Sequence, residues 1–390
     1  MRSGPHTKLI SPRWIPALLC ALIVSLGGCH TPPDPDPNPN YKEFAYIANS
    51  GDNTVTVVDL RALRVRAIVP VGKGPGGVVA NPRRNEVYVA NSESNNISVI
   101  DTETNKVVST IGVQQAPAFV DVSADGKRLY AANSGSANLS VIDVQTRRVL
   151  RTLQVGNGSH LARVTPDGKL VVISLRDEDS VALVDTGNIS LAAKIKACTQ
   201  PAELAILADS SKAFVACAGS HQVAVIDLKQ KQLLTQLDVG QTPVSIALKP
   251  DGGEVFVCNF NSSSVSEVST GSNEVSSSFL IGDRPARALV SPDNSLLFVS
   301  NFGSDNVAVY AIDNGRLLGS TPVGKSPEAM VFSPNQLLLL VVNTVSGDLA
   351  VLDLTDSKGR PRPGAPIIET MVPLGKNPRA IAVKAFVSQR

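Results

Sequence analysis

The chain is poor in most of the residues on which binding and catalytic chemistry is built. It has one Trp, at position 14, and aromatic residues make up 4% of it. So small a supply argues against stacking platforms for bases or sugars. It has four His, and only His160 and His221 fall in the repetitive body of the chain, in different units, which excludes a metal site of three His. No Cys-x-x-Cys-His is present to attach haem, no Gly-x-Ser-x-Gly to form a nucleophile elbow, and no Gly-x-x-x-x-Gly-Lys-Ser/Thr to cradle phosphate. An excess of positive charge is missing too. Residues 1–28 hold Arg2, Lys8 and Arg13 and no acid; beyond them 33 basic residues face 34 acidic ones, so nothing draws nucleic acid electrostatically. With 43% apolar and 18% charged residues, the composition is that of a packed globular protein.

Two segments precede that body. Arg2, Lys8 and Arg13 lead into the apolar run "WIPALLCALIVSLGG", shorter than the about 20 residues of a membrane span. An export signal is therefore expected over 1–28. The run ends in "LGGC", Leu26 to Cys29, which resembles the lipobox of bacterial lipoproteins. That resemblance implies a lipid on Cys29 as the first residue of the mature chain. His30 in place of an Asp after it implies sorting to the outer membrane. Residues 29–43 then form a tether whose "HTPPDPDPNPN" is extended and semi-rigid, because alternating Pro denies both helix and sheet.

From Phe44 the sequence repeats. Steps of 42 from Tyr46 reach Tyr88, Tyr130, Val172, Phe214, Phe256, Phe298 and Leu340 without a gap. The Asn that ends each "YVAN"-like phrase keeps the step at Asn49, Asn91, Asn133, Asn259, Asn301 and Asn343, with Leu175 and Cys217 as exceptions. Asp59, Asp101, Asp143, Asp185, Asp227 and Asp353 close "SVID"-like runs, and a Pro follows the "VG"-like pair at Pro75, Pro117, Pro201, Pro243, Pro285, Pro327 and Pro378. Each unit holds four alternating, β-branched runs bounded by turn residues, which read as strands. No unit shows a helical stripe of ten residues. Four strands in about 42 residues is the size of a propeller blade.

This pattern resembles the YVTN family of β-propeller repeats over Phe44 to Phe386, and the resemblance implies an all-β propeller of four-stranded antiparallel blades. We label as a the strand after "VGxxP", as b the "YVAN" strand, as c the "SVID" strand and as d the strand before "VG". Strands b, c and d open the chain, seven complete sets follow, and a lone a strand, "RAIAVKAF", ends it, leaving 387–390 as a tail. That count predicts eight blades, the last shared by both termini and closed by the C-terminal strand. Seven, the commoner number in the family, is the alternative. The aromatic residue of strand b is expected to wedge between blades, its Asn to bond nearby backbone and take a left-handed turn, and the Asp of strand c to cap a turn.

Departures from the repeat mark the candidate site. At the start of the innermost strand most units carry small or apolar residues, but Asp121, Arg163, Glu203 and Arg287 break the rule. With His160, Arg284, Glu328 and Arg379 they are expected to line a polar channel mouth, either as a ligand site or as an ion-pair network that keeps a wide channel wet. "LRDEDS", Leu175 to Ser180, lacks the ligand spacing of a calcium loop and is expected to be a solvated turn. Cys198, Cys217 and Cys258 are expected to be buried free thiols. A Cys198–Cys217 disulfide is the alternative, and it requires the d–a connection to curl back until the Cα atoms come within about 7 Å.

Six Asp spread around a ring form no catalytic pair, and neither cofactor nor metal is expected. The leading functional expectation is a monomeric, lipid-anchored binding or scaffold module for a protein or extracellular polymer. The alternative is a hydrolase, by resemblance to lactonase-type propellers, with Glu203, Arg163, Arg287 and His160 as the players. A subunit that handles electrons beside a metal or quinone enzyme has no ligand set here. One unit is irregular: Asp353 to Gly375 carries nine extra residues in "TDSKGRPRPGAPIIETM", expected to be a stiff basic prong bearing Lys358, Arg360 and Arg362 on the face opposite the "VGxxP" mouth.

Overall fold

The computed structural model describes residues 38–362 and 364–388, which carry thirty-two strands and no α-helix. The signal segment, Cys29, the tether up to residue 37, Pro363 and residues 389–390 lie outside the described residues. The strands form eight four-stranded antiparallel sheets. Seven follow chain order, and we number them blades 1 to 7: residues 75–112, 117–154, 159–196, 201–238, 243–280, 285–322 and 327–373. Blade 8 joins the chain ends, with Pro378–Val387 as strand a and Tyr41–Asn49, Thr54–Asp59 and Arg64–Pro70 as b, c and d. Each strand a touches the next, and that of blade 8 touches both blade 7 and blade 1, so the ring is closed.

Closure by the last strand, expected from the count, takes the longest pairing in the ring. Residues Tyr41 to Asn49 pair with Val387 back to Pro378, whereas every other b strand has six residues. The propeller thus begins three residues before Phe44 and ends one after Phe386. Closure gives every strand b a partner on both sides, so no b strand is left with the free edge at which sheets otherwise aggregate.

Strand b is apolar because blades cover both of its faces. Tyr46, Tyr88, Tyr130, Phe214, Phe256 and Phe298 are at most 2% exposed. Tyr88 of blade 1 packs in one cluster with Val120 and Leu129 of blade 2, which is the expected wedge. The Asp that ends strand c caps the next turn: Asp59 accepts from the amides of Arg61 and Ala62, and Asp227 from those of Lys229 and Gln230. The Asn expectation needs correction. Asn91 Nδ2 donates to Asn96 Oδ1 (2.8 Å) and Ser98 Oγ (2.9 Å), side chains of strand c rather than backbone. Asn133 and Asn259 do the same. The left-handed residue stands four places on, at Asn53, Asn95 or Ser263, because the Asn itself must stay extended to reach across the hairpin.

The Gly of "VG" has its own reason. A Cβ on Gly72, Gly240, Gly282 or Gly324 would lie 2.5–2.7 Å from the side chain of Asn91, Asn259, Asn301 or Asn343. In the fourth unit Cys198 takes the Gly position and Cys217 the Asn position, and the two are joined by a disulfide with Cα atoms 5.8 Å apart. The expected free thiols are thus corrected for this pair. The close approach that requires Gly opposite Asn elsewhere brings two Cys within bonding range here. Cys258 remains free and buried, and burial pushes its thiol up to about 12.

The faces follow from strand direction. One, the upper face, carries the b–c and d–a turns; the lower carries the a–b and c–d turns. "LRDEDS" is a short turn on the upper face with Glu178 paired to Lys194 (2.7 Å) and Asp179 to Lys196 (3.4 Å). The blade 7 insert is not a free prong. Thr355 bridges Pro361, the Arg362 amide bonds Leu354 O (2.8 Å), and Arg360 is neutralised by Asp356 (2.6 Å), so the segment folds back on the lower face.

Candidate ligand-binding site

The start of each strand a faces the central channel, so a residue that breaks the repeat there is placed on the channel wall. At the upper end the wall opens into a funnel of about 720 Å³. Arg163 of blade 3, Glu203 of blade 4, Arg287 of blade 6, Glu328 of blade 7 and Arg379 of blade 8 all line it. Arg287 Nη1 lies 2.8 Å from Glu203 Oε2, and Arg163 Nη2 lies 3.5 Å from Glu203 Oε1. One carboxylate therefore holds two guanidinium groups, from blades on either side of its own. The guanidinium of Arg163 also lies over the Phe119 ring, 4.6 Å from its centre.

Electrostatics follow from that geometry. Burial alone would raise the pKa of Glu203, but Arg287 and Arg163 together outweigh it and hold the carboxyl below its ordinary value. Glu203 raises Arg287 in return. The side chains of Arg163, Arg287 and Glu203 are 33%, 31% and 18% exposed, so the network stands at the edge of water and is open to a ligand. Glu328 accepts from Thr344 Oγ1 (2.8 Å), and Arg379 is exposed at the rim.

Three predicted residues are not among those that wall the funnel. Asp121 accepts from the amides of Val122 (2.9 Å) and Val164 (3.0 Å), tying blade 2 to blade 3. Burial raises its pKa, with Arg163 opposing. His160 is held below its ordinary pKa, first by loss of hydration and then by Arg176. Arg284 occupies a left-handed turn (φ 54°) and accepts the Phe302 amide.

Two aromatic residues were not anticipated. Phe260 and Phe302 line the funnel with ring centres 5.8 Å apart. Each directly follows the strand b Asn, where earlier units carry Ser50, Ser92 and Ser134. The 42-residue step from Ser50 would have found them. A low aromatic content thus did not exclude an aromatic surface, because three of the few Phe gather at one site. Among the described residues no cluster of His, Cys, Asp and Glu suits a metal ion.

Comparison with known proteins bears on the fold. A family profile described as YNCE-like beta-propeller matches residues 38–166, and one described as lactonase, 7-bladed beta-propeller, matches 266–371. Each covers less than half of the chain. A search of curated proteins finds no significant match. Among solved structures, hydrazine synthase of Kuenenia stuttgartiensis is similar at 18% identity and TM-score 0.58, over 72% of this chain and 95% of that one. Dihydro-heme d1 dehydrogenase NirN, solved in complex with DHE, is similar at 14% and TM-score 0.68, over 87% and 74%. A protein from Lactobacillus plantarum is similar at 14% and TM-score 0.61, over 88% and 99%. At such identities the likeness is one of fold, and with the closed ring of eight sheets it makes this chain a β-propeller protein, similar at one end to YNCE-like and at the other to lactonase-type propellers.

Proposed function

We propose that this propeller is a ligand-binding module of the bacterial cell envelope, carried by a lipid on Cys29, and that its funnel receives an anionic group of a protein or polymer partner. The observation that carries this reading is the Arg163–Glu203–Arg287 bridge. Glu203 holds both guanidinium groups in place before a ligand arrives, which reduces the ordering cost of binding. With Arg379 against Glu328, the funnel keeps a net charge of one positive. Phe260 and Phe302 add an apolar rim beside it. The chain enters blade 8 at Tyr41 on the lower face, the end of the ring opposite the funnel. Outer-membrane sorting belongs to the same proposal.

Lactone hydrolysis is the second reading, favoured by the lactonase profile over residues that include Arg287 and Glu328. The chemistry of Glu203 weighs against it. A carboxylate held below its ordinary pKa by two Arg is a weak general base. Affinity capture from the native envelope with wild type and the double variant Arg287→Ala/Arg379→Ala tests the binding proposal. Loss of a specific partner from the folded variant is expected; capture that the variant leaves unchanged contradicts it. A lactone panel run on wild type and Glu203→Gln tests the second reading, which requires turnover by wild type that the variant loses.

A further inference from the structure

The insert of blade 7 builds a second cavity, on the lower face between blades 6 and 7 and remote from the funnel. It encloses about 260 Å³. Its walls are mainly apolar: Phe298, Phe332, Leu337 and Leu354 from the blades, with Pro361 of the insert closing over them. Phe298 and Phe332 meet edge to face, 5.6 Å between ring centres. No other unit has an insert, so this space has no counterpart in the repeat.

Arg362 is the one cationic residue of the wall. Arg362 donates from Nη2 to Thr355 O, but its Nε–H is buried with no acceptor, and the guanidinium has no carboxylate partner among the described residues. A buried donor left unpaired is costly, and a guanidinium prefers an oxyanion. The acid in the wall, Asp293, is already engaged: its Oδ1 accepts from Ser291 Oγ, Ser295 N and Ser295 Oγ. Neighbouring Asp356 is committed to Arg360. A small apolar chamber walled in part by an Arg whose guanidinium no carboxylate neutralises calls for a compact amphiphile. An apolar cavity of about 150 Å³ accepts benzene, so this one accommodates roughly ten heavy atoms.

We propose that the insert cavity is a binding site for a small monocarboxylate with an apolar body of medium-chain or single-ring size, its carboxylate on Arg362 and its body among Phe298, Phe332, Leu337 and Leu354. The site is independent of the funnel and of whatever the funnel binds.

Octanoate is the probe, titrated into the full chain, with 1-octanol as the neutral control and hexadecanoate as the oversized one. Saturable binding of octanoate is expected, with octanol at least about tenfold weaker, the size of one charge-assisted hydrogen bond, and hexadecanoate weaker too because its chain exceeds the chamber. Arg362→Gln should weaken octanoate by a similar factor, and Leu337→Trp, which fills the chamber, should abolish its binding. A melting curve for each variant checks that it has folded. Because either substitution can disturb the insert, methyl chemical shifts of the unaltered protein give a second readout. Shifts at Leu337 and Leu354 are expected, with Val244 and Val345 at the funnel unmoved. The proposal is overturned by the absence of saturable binding, by shifts confined to the funnel methyls, or by folded variants that bind like wild type.

Discussion

Replacing Cys198 and Cys217 with the residues the repeat carries elsewhere separates two contributions to the fourth unit. The disulfide closes a loop of 19 residues' separation. In the chain-entropy account a loop of that length stabilises by about 3 kcal/mol. Reducing the wild type should therefore lower its unfolding free energy by about that amount, and the variant Cys198→Gly/Cys217→Asn should start near the reduced value and ignore reductant. The restored Asn has one partner within reach, the Gln222 side chain five residues on, because Ala224 stands seven on. This is the situation of Asn343, which bonds Asp348 Oδ1 at 2.7 Å and faces Ala350. One such bond is worth about 1 kcal/mol, so the Gly/Asn variant should exceed Cys198→Gly/Cys217→Ala by about that much. Urea unfolding followed by circular dichroism, with and without reductant, reads both differences. If reductant leaves the wild-type curve unmoved, or if Gly/Asn and Gly/Ala unfold together, the equivalence of the two pairs is wrong.

Three other perturbations address the ring, the network and the anchor. Deleting residues 378–390 strips blade 8 of its inner strand and leaves Tyr41–Asn49 unpaired on one side, so aggregation or proteolysis should follow; a monomer with unchanged melting would show that closure lies elsewhere. Glu203 has a depressed folded pKa, so its contribution is complete above the unfolded value of about 4.3 and disappears as pH falls through the folded one. Glu203→Gln should therefore lose stability at neutral pH and converge with wild type in acid. Because the partners are about one third exposed, the neutral-pH loss should be only about 1 kcal/mol, and equal pH profiles for the two proteins would remove the ion pairs from the account. Cys29→Ser should release the protein from membranes or leave its signal uncleaved, read by fractionation and intact mass; an unshifted mass with unchanged fractionation refutes lipidation.

Architecture was legible in the sequence because each blade repeats one solution to one packing problem. The 42-residue step located the strands as far as Asp353, and the order of the phrases located the last two beyond the nine-residue insert, since a wedge such as Tyr88 and a turn cap such as Asp59 recur around the ring. Pairing between separated departures was harder to read. Cys198 and Cys217 each break the repeat, but only the distance from Gly72 to Asn91 in space shows that the two positions touch. Of the eight polar residues expected at the channel, five wall the funnel. Asp121, His160 and Arg284 do not, because a position on strand a fixes the level along the channel but not whether the side chain is taken up by backbone amides, as at Asp121. The insert read as basic from its composition, yet Asp356 neutralises Arg360 and the chain folds back, an outcome set by tertiary contact rather than by local charge.

The central claim, that the funnel is where the partner binds, is tested most directly by photo-crosslinking in the native envelope. A photoreactive residue at Phe302 marks the funnel rim, and one at Lys229, on a lower-face turn of blade 4, is the control. The account expects a discrete adduct from Phe302 that disappears with Arg287→Ala, and none from Lys229. An adduct from Lys229 alone, or a Phe302 adduct indifferent to Arg287→Ala, contradicts it.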